Sequence, residues 1–293
     1  MNSVDPHNDP FKDFTNRLKL LISEHRNLIV TTLSNIFTMR LIGNKTHGDL
    51  AEIAIAEFVN QYMNDFRAVH VGKDLYRAKS QEEDITIINE KTQAKFPVSL
   101  KAYGVGPLQL STDKDCKMFQ RLEQEGKAEI RGRDAVQKVL QDSAFAEFRK
   151  INVLALIYDE EKQCCNILVF DYDRAITATE RIIKEEGKDT RGRKHPVYKF
   201  YKFYNSREDN GYICEVRYGD AAANALQRGL WTHTRNALKY FDSITSGWIN
   251  YSHNPILVEL FSHALVSSQT GHENALKNIR EDIARMKPKS DLG

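Results

Sequence analysis

Cysteine is scarce in this chain and wrongly spaced for metal or disulfide chemistry. The four cysteines among 293 residues are Cys116, Cys164, Cys165 and Cys214, with no CxxC pair. The nine histidines form no HxxxH or HExxH pair, so neither a zinc module nor a zinc protease is expected. No stretch approaches the roughly 18 apolar residues of a membrane span, and Leu28 to Phe37 is broken by polar residues. Met1-Asn2-Ser3-Val4-Asp5 has neither the basic region nor the apolar run of a leader, so a cytoplasmic protein with no membrane partner is expected. Gly104-Val105-Gly106 lacks the third glycine and the Lys-Ser/Thr of a nucleotide-binding loop, which argues against a nucleotide cofactor. Internal repeats are absent, and a net charge of +2 describes no general polycation.

An apolar content of 41% and a charged fraction of 28% are ordinary for a globular chain. The length suits one large domain or a core with an appended lobe. Two short stretches carry chemical information. Glu82-Glu83-Asp84-Ile85-Thr86-Ile87-Ile88 and Pro97-Val98-Ser99-Leu100-Lys101-Ala102-Tyr103 each alternate β-branched residues, and Asn89-Glu90-Lys91-Thr92 between them reads as a turn. A hairpin here brings Asp84 and Lys101 to one sheet edge. A carboxylate to hold a divalent metal and a lysine to orient a water are the minimal set for hydrolysing a phosphodiester.

The segment before the hairpin, Thr46 to Met63, is rich in helix formers and has no Gly or Pro after Gly48. Glu52 shares a helix face with Ile55, Ala56 and Val59. A carboxylate on an apolar face needs a partner or a cation. The alternative for Glu52 is a capping box closed with Asp49, and the two roles are compatible.

This arrangement, from Thr46 to Asp115, resembles the active-site region of the PD-(D/E)XK nucleases. In that family an Asp opens one strand and an acidic-x-Lys triplet lies on the next. The triplet here is Ser99-Leu100-Lys101, the Ser-x-Lys variant found in some type II restriction endonucleases. The resemblance implies catalytic roles for Asp84, Lys101, Glu52, Ser99 and Gln109. It also implies Mg²⁺ held by Asp84, Glu52, the Leu100 carbonyl and Asp115, which lies at the spacing of a further acid. Ser99 is then expected to hold a metal-bound water. Solvated positions at a helix start are the alternative for Gln109 and Asp115.

Charge is unevenly spread. Residues 181 to 207 carry nine Lys or Arg against three acids, a local +6 that leaves the remainder at −4. Arg191, Arg193 and Lys194 sit in a glycine-punctuated loop, followed by Tyr198-Lys199-Phe200-Tyr201-Lys202-Phe203-Tyr204. Lys199, Tyr201 and Lys202, with the loop, are candidate contacts to DNA phosphates and bases. A solvated hairpin whose aromatics cover the core is the alternative. Arg228, Thr232, His233 and Arg235, between two expected helical segments, form a second candidate surface.

The expected fold class is α/β (α+β), a restriction-endonuclease-like central mixed sheet flanked by helices. Helices are expected near Pro10–Glu24 and Arg26–Leu41, then strands near Val69–Tyr76, Ile85–Asn89 and Pro97–Tyr103. A helical stretch follows from Thr112 to Lys150, with a basic turn at Arg131-Gly132-Arg133. The apolar run Ile151–Tyr158 reads as a buried central strand with Cys165–Tyr172 beside it. A basic hairpin over 190–218 and helices to the end complete the chain, the tail Lys287–Gly293 frayed. Residues 1–175 are expected to form the catalytic core and 176–293 a DNA-contacting region packed on it. The expected activity is that of a Mg²⁺-dependent, site-specific endonuclease on double-stranded DNA, leaving 5′-phosphate ends and acting as a homodimer. A structure-specific repair or recombination nuclease of the same fold, or a non-catalytic DNA-binding protein, are the alternatives.

Overall fold

The computed structural model describes residues 9–42, 47–70, 84–104, 108–109, 117–150, 152–187, 198–205, 211–218, 229–233, 237–266, 277 and 280–281. The chain enters through α1 (Pro10–Glu24), started by Asp9, whose Oδ1 accepts from the N–H groups of Phe11 and Lys12. Phe14, Leu18 and Ile22, four apart, form its buried stripe. Next come α2 (Arg26–Ile42) and α3 (His47–Tyr62), then β1 (Phe66–His70), β2 (Ile85–Asn89) and β3 (Lys95–Tyr103). After β4 (Leu108–Gln109) follow α4 (Lys117–Gln124), β5 (Glu129–Arg131), α5 (Arg133–Leu140) and a 3₁₀ segment, Ser143–Lys150. The strands β6 (Val153–Asp159) and β7 (Cys164–Phe170) lead to α6 (Tyr172–Ala178). Then come β8 (Arg181–Gly187), β9 (Tyr198–Tyr204), β10 (Tyr212–Tyr218) and β11 (Gly229–Thr232). A 3₁₀ turn at Leu238–Tyr240, β12 (Phe241–Ser243), β13 (Ile249–Asn250) and α7 (Pro255–Val266) follow.

The main sheet runs β1-β2-β3-β6-β7-β12, with β13 also paired to β7. Its neighbours are antiparallel except β3 and β6, which run parallel from Ser99 opposite Val153 to Tyr103 opposite Ile157. A parallel pair needs a long crossover, and the segment holding α4 and α5 supplies it. The mixed α/β class expected from the sequence is therefore present, as is the order helix, antiparallel hairpin, helix, buried strand pair. A second, antiparallel sheet runs β4-β11-β10-β9-β8-β5. Each sheet draws strands from both sides of residue 175.

Strand alternation sorts the main sheet's side chains onto two faces. Ile85, Ile87, Val98, Leu100, Leu154 and Ile167 meet the helices α1 to α3 in one core. Val153, Ala155, Ile157 and Leu168 meet Tyr201, Phe203, Val216 and Leu230 of the second sheet in another. That second core stops at β3. On the same face Arg67 and Val69 of β1 and Pro97 of β3 are exposed, and Thr86 and Ile88 of β2 are half-buried. One face of the sheet is thus covered by helices, while the other is roofed over β6 and β7 and open over β1 and β2.

Several expected boundaries move. The first strand is Phe66–His70, and most of the expected Val69–Tyr76 lies outside the described residues. The helical stretch from Thr112 is broken into α4, β5, α5 and a 3₁₀ segment, because Gly126 and Gly132 take φ of 63° and 91°. Gly132, at the centre of the expected basic turn, is where β5 ends and α5 begins. Residues beyond 218 hold β11, β12 and β13 as well as a helix, and residues 229–232 are a strand rather than an inter-helix turn.

Candidate active site

Asp84 stands at the mouth of β2. The pairing of Ile85 with Val98 puts it opposite Ser99, and its own N–H donates to Val98 O at 3.3 Å. Its carboxylate is tied through one oxygen. Oδ2 accepts from Ser99 Oγ at 2.8 Å and from Leu100 N at 2.6 Å. Ser99 is 3% exposed, whereas Asp84 is half-exposed. Among the described residues the Leu100 N–H meets no backbone partner on that side, and the aspartate takes the partner's place. A strand residue directs its N–H and C=O to the same side, so the Leu100 carbonyl also points past the end of β2.

Lys101 follows Ser99 by two residues, so Asp84, Ser99 and Lys101 share one face of the sheet. It is half-buried and stands where the open half of that face meets the roofed half. On the opposite face, Ala51 and Ile55 of α3 line an apolar cavity together with Leu100, Lys101 and Leu154. The first turns of α3, which carry Glu52, therefore lie over the Leu100–Lys101 part of β3. The Glu52 side chain lies outside the described residues. So does that of Gln109, whose backbone belongs to β4 opposite Trp231, and Asp115 lies outside them altogether.

A residue that sequence reasoning missed holds this arrangement from the β6 side. Asn152 O accepts from Ser99 N at 2.8 Å, and Asn152 Nδ2 donates to Pro97 O at 2.9 Å. No local signal marks it, because its role exists only once β6 has paired parallel to β3.

The candidate DNA contacts separate sharply. Arg191, Arg193, Lys194, Arg228 and Arg235 lie outside the described residues. Lys199 is exposed on β9. Lys202 is half-buried and bound to Glu185 Oε2 at 2.7 Å, its ammonium 5.2 Å from the centre of the Phe200 ring. Burial acts to lower its pKa, but the bond to Glu185 and neighbouring negative charge raise it, so it stays charged. Tyr201 is a core residue rather than a surface reader: it is 2% exposed and its hydroxyl donates to Glu123 Oε1. Thr232 is fully buried, and its hydroxyl donates to Ile213 O at 2.7 Å. Both face inward because the second sheet's inner face packs against the main sheet. His233 is half-buried, 5.9 Å from the Tyr212 ring, and burial pulls its pKa down against an opposing pull from Glu215.

Asp84 and the Leu100 carbonyl offer hard oxygen donors, the kind that Mg²⁺ takes. Among the described residues no three His, Cys, Asp or Glu side chains gather into a metal-holding group. No helix among them is long and apolar enough to cross a membrane. No family model, curated protein or solved structure matches the chain.

Proposed function

We propose that this chain is a Mg²⁺-dependent endonuclease that hydrolyses double-stranded DNA at a specific site, in the manner of a type II restriction enzyme. The observation that carries the reading is the shared face of Asp84, Ser99 and Lys101 at the step between the open and roofed halves of the main sheet. The core order of helix, antiparallel hairpin, helix and buried strand pair supports it too, since that is the order of the PD-(D/E)XK fold.

Asp84 Oδ1 and the Leu100 carbonyl would hold the cation, with Glu52 as a further donor from α3. Bound there, Mg²⁺ supplies a water of lowered pKa and positive charge beside the scissile phosphate. Lys101 orients the attacking water and stabilises the negative charge that grows on the phosphate oxygens. The open sheet face beside the site gives a duplex room to approach, and the exposed Arg67 on it, paired only loosely with Glu90 at 3.8 Å, is one cation for its backbone. Cutting both strands of a palindromic site needs two such centres related by a two-fold axis, so the active species is a homodimer in the cytoplasm.

The second reading, a DNA-binding protein without hydrolysis, is favoured by one observation. Asp84 already serves a structural purpose in tying Leu100 to the end of β2. Incubating plasmid and phage DNA with wild type, Asp84→Ala and Lys101→Ala, with Mg²⁺ or EDTA, separates the two. Discrete fragments from wild type alone, lost with EDTA, are expected. Cuts confined to branches or flaps would point to a structure-specific repair nuclease. Intact DNA throughout, with a clear gel shift, would leave the binding protein.

A further inference from the structure

Ser99 occupies the place where the resemblance expects an acid, and its hydroxyl is turned toward Asp84. We propose that Ser99 is a positioning residue: it locks the Asp84 carboxylate by one oxygen, so that the other is presented to a divalent cation in a fixed direction. The inference rests on the nuclease reading and assigns a role that differs from holding a metal-bound water.

Both bonds to the carboxylate fall on Oδ2, from Ser99 Oγ at 2.8 Å and Leu100 N at 2.6 Å. A hydroxyl has one proton to give, and Ser99 gives it here. The two donors approach one oxygen from different atoms of the same strand, which fixes both rotation about the Asp84 side chain and the plane of the carboxylate. Oδ1 accepts no bond among the described residues, and Asp84 as a whole is half-exposed.

The donor is itself held. Ser99 is 3% exposed, and its N–H is anchored on Asn152 O at 2.8 Å. The Asn152 side chain ties Pro97 O at 2.9 Å, and Asp84 N reaches Val98 O at 3.3 Å. Strand β3 is therefore clamped on both sides across the residues that carry the hydroxyl. A ligand whose rotamer is fixed in advance does not lose that freedom when the cation arrives. Partners of this kind change metal affinity by roughly 10- to 100-fold when removed.

The test is Mn²⁺ binding to the full chain without DNA, read by electron paramagnetic resonance. Wild type, Asp84→Ala, Ser99→Ala and Ser99→Thr are compared, each checked for folding by circular dichroism. Wild type should bind and Asp84→Ala should lose that site. Ser99→Ala should bind about tenfold more weakly or worse, and Ser99→Thr, which keeps the hydroxyl, should recover wild-type affinity. Because every variant compared is folded, a loss confined to Mn²⁺ affinity separates positioning from a merely structural role. If Ser99→Ala does not fold, Ser99→Cys takes its place, close in volume and a much weaker donor, with the same expectation. Folded Ser99→Ala or Ser99→Cys with wild-type affinity, or folded Ser99→Thr as weak as Ser99→Ala, overturns the positioning role while the hydrolase reading stands. Wild type without an Asp84-dependent site overturns both.

Discussion

The hydroxyl of Tyr201 donates to Glu123 Oε1, and Lys184 reaches the same oxygen from β8 at 2.6 Å. Burial works to raise the pKa of Glu123, yet its bonds to Lys184 and Tyr201 lower it, so the carboxylate stays charged and fastens α4 to the second sheet. Tyr201→Phe should therefore cost about 1 kcal/mol in a denaturant melt and leave the DNA affinity of the folded protein unchanged. Thr232→Val should behave alike, because its hydroxyl serves the Ile213 carbonyl inside the core. A tenfold loss of DNA affinity from either folded variant would show that these side chains leave the core to meet DNA. Asp84 carries a different expectation. Asp84→Ala strands the Leu100 N–H and the Ser99 hydroxyl, which should cost roughly 1–3 kcal/mol. Asp84→Asn keeps an acceptor for Leu100 and should cost less, while losing the negative charge a cation needs. Both should be inactive, and their different melts would separate the structural use of this side chain from the chemical one.

Among the described strands β1 lies at the edge of the main sheet, and an edge strand offers unpaired backbone groups to any passing chain. Asn60 of α3 covers part of it: its Oδ1 accepts from Ala68 N at 2.8 Å and its Nδ2 donates to Ala68 O at 3.1 Å. Asn60→Ala should lower stability by about 1–2 kcal/mol and increase light scattering on mild heating, whereas Asn60→Gln should recover neither fully, its amide displaced by one methylene. The β2–β3 hairpin was legible in the sequence because each strand alternates over a buried face and the Asn89 turn is locally encoded, Asn89 Oδ1 accepting from the N–H groups of Lys91 and Thr92. The opposition of Asp84 and Ser99 was not legible, since it depends on the exact register of Ile85 against Val98. Strands β5, β11, β12 and β13 were not legible. They are two to four residues long, and the partners that make them strands lie far away in sequence. The interleaved aromatics of β9 were ambiguous for a related reason. Alternation announces two faces but not which of them another sheet will cover, and Tyr201 and Phe203 went to the covered one.

Acid should weaken the fold in two stages, because the groups with depressed pKa values fall into two classes. Asp65, Asp142 and Asp159 are carboxylates held below their usual range. Asp65 is lowered first by its bond from Lys91 and then by Arg17, Asp142 by the Ala144 N–H and Arg121, and Asp159 by the Lys162 N–H and ammonium. Their folded pKa values lie below the unfolded value of roughly 3.9. The stability they contribute is fully present above that value and is lost as pH falls through the native ones. The Asp65 bonds join α1 to the β2–β3 turn, so that corner should loosen in acid. His233 and His253 act earlier. Burial lowers both, Glu215 opposing it at His233 and Glu160 at His253. The unfolded chain then binds protons first as pH drops below roughly 6.5, and stability falls from that point. Both ring nitrogens of His253 are buried with no hydrogen-bond partner, and the ring sits 6.2 Å from that of Tyr251, which stacks on Phe37 of α2. His253→Phe should therefore be as stable as wild type at pH 8, since an apolar ring replaces a polar one that bonds to nothing. It should also shrink the upper stage while leaving the lower one in place. Thermal melts of wild type and His253→Phe from pH 8 to pH 3 check this. An unchanged upper stage in the variant would remove His253 from it and leave His233, beneath Tyr212, as the group responsible.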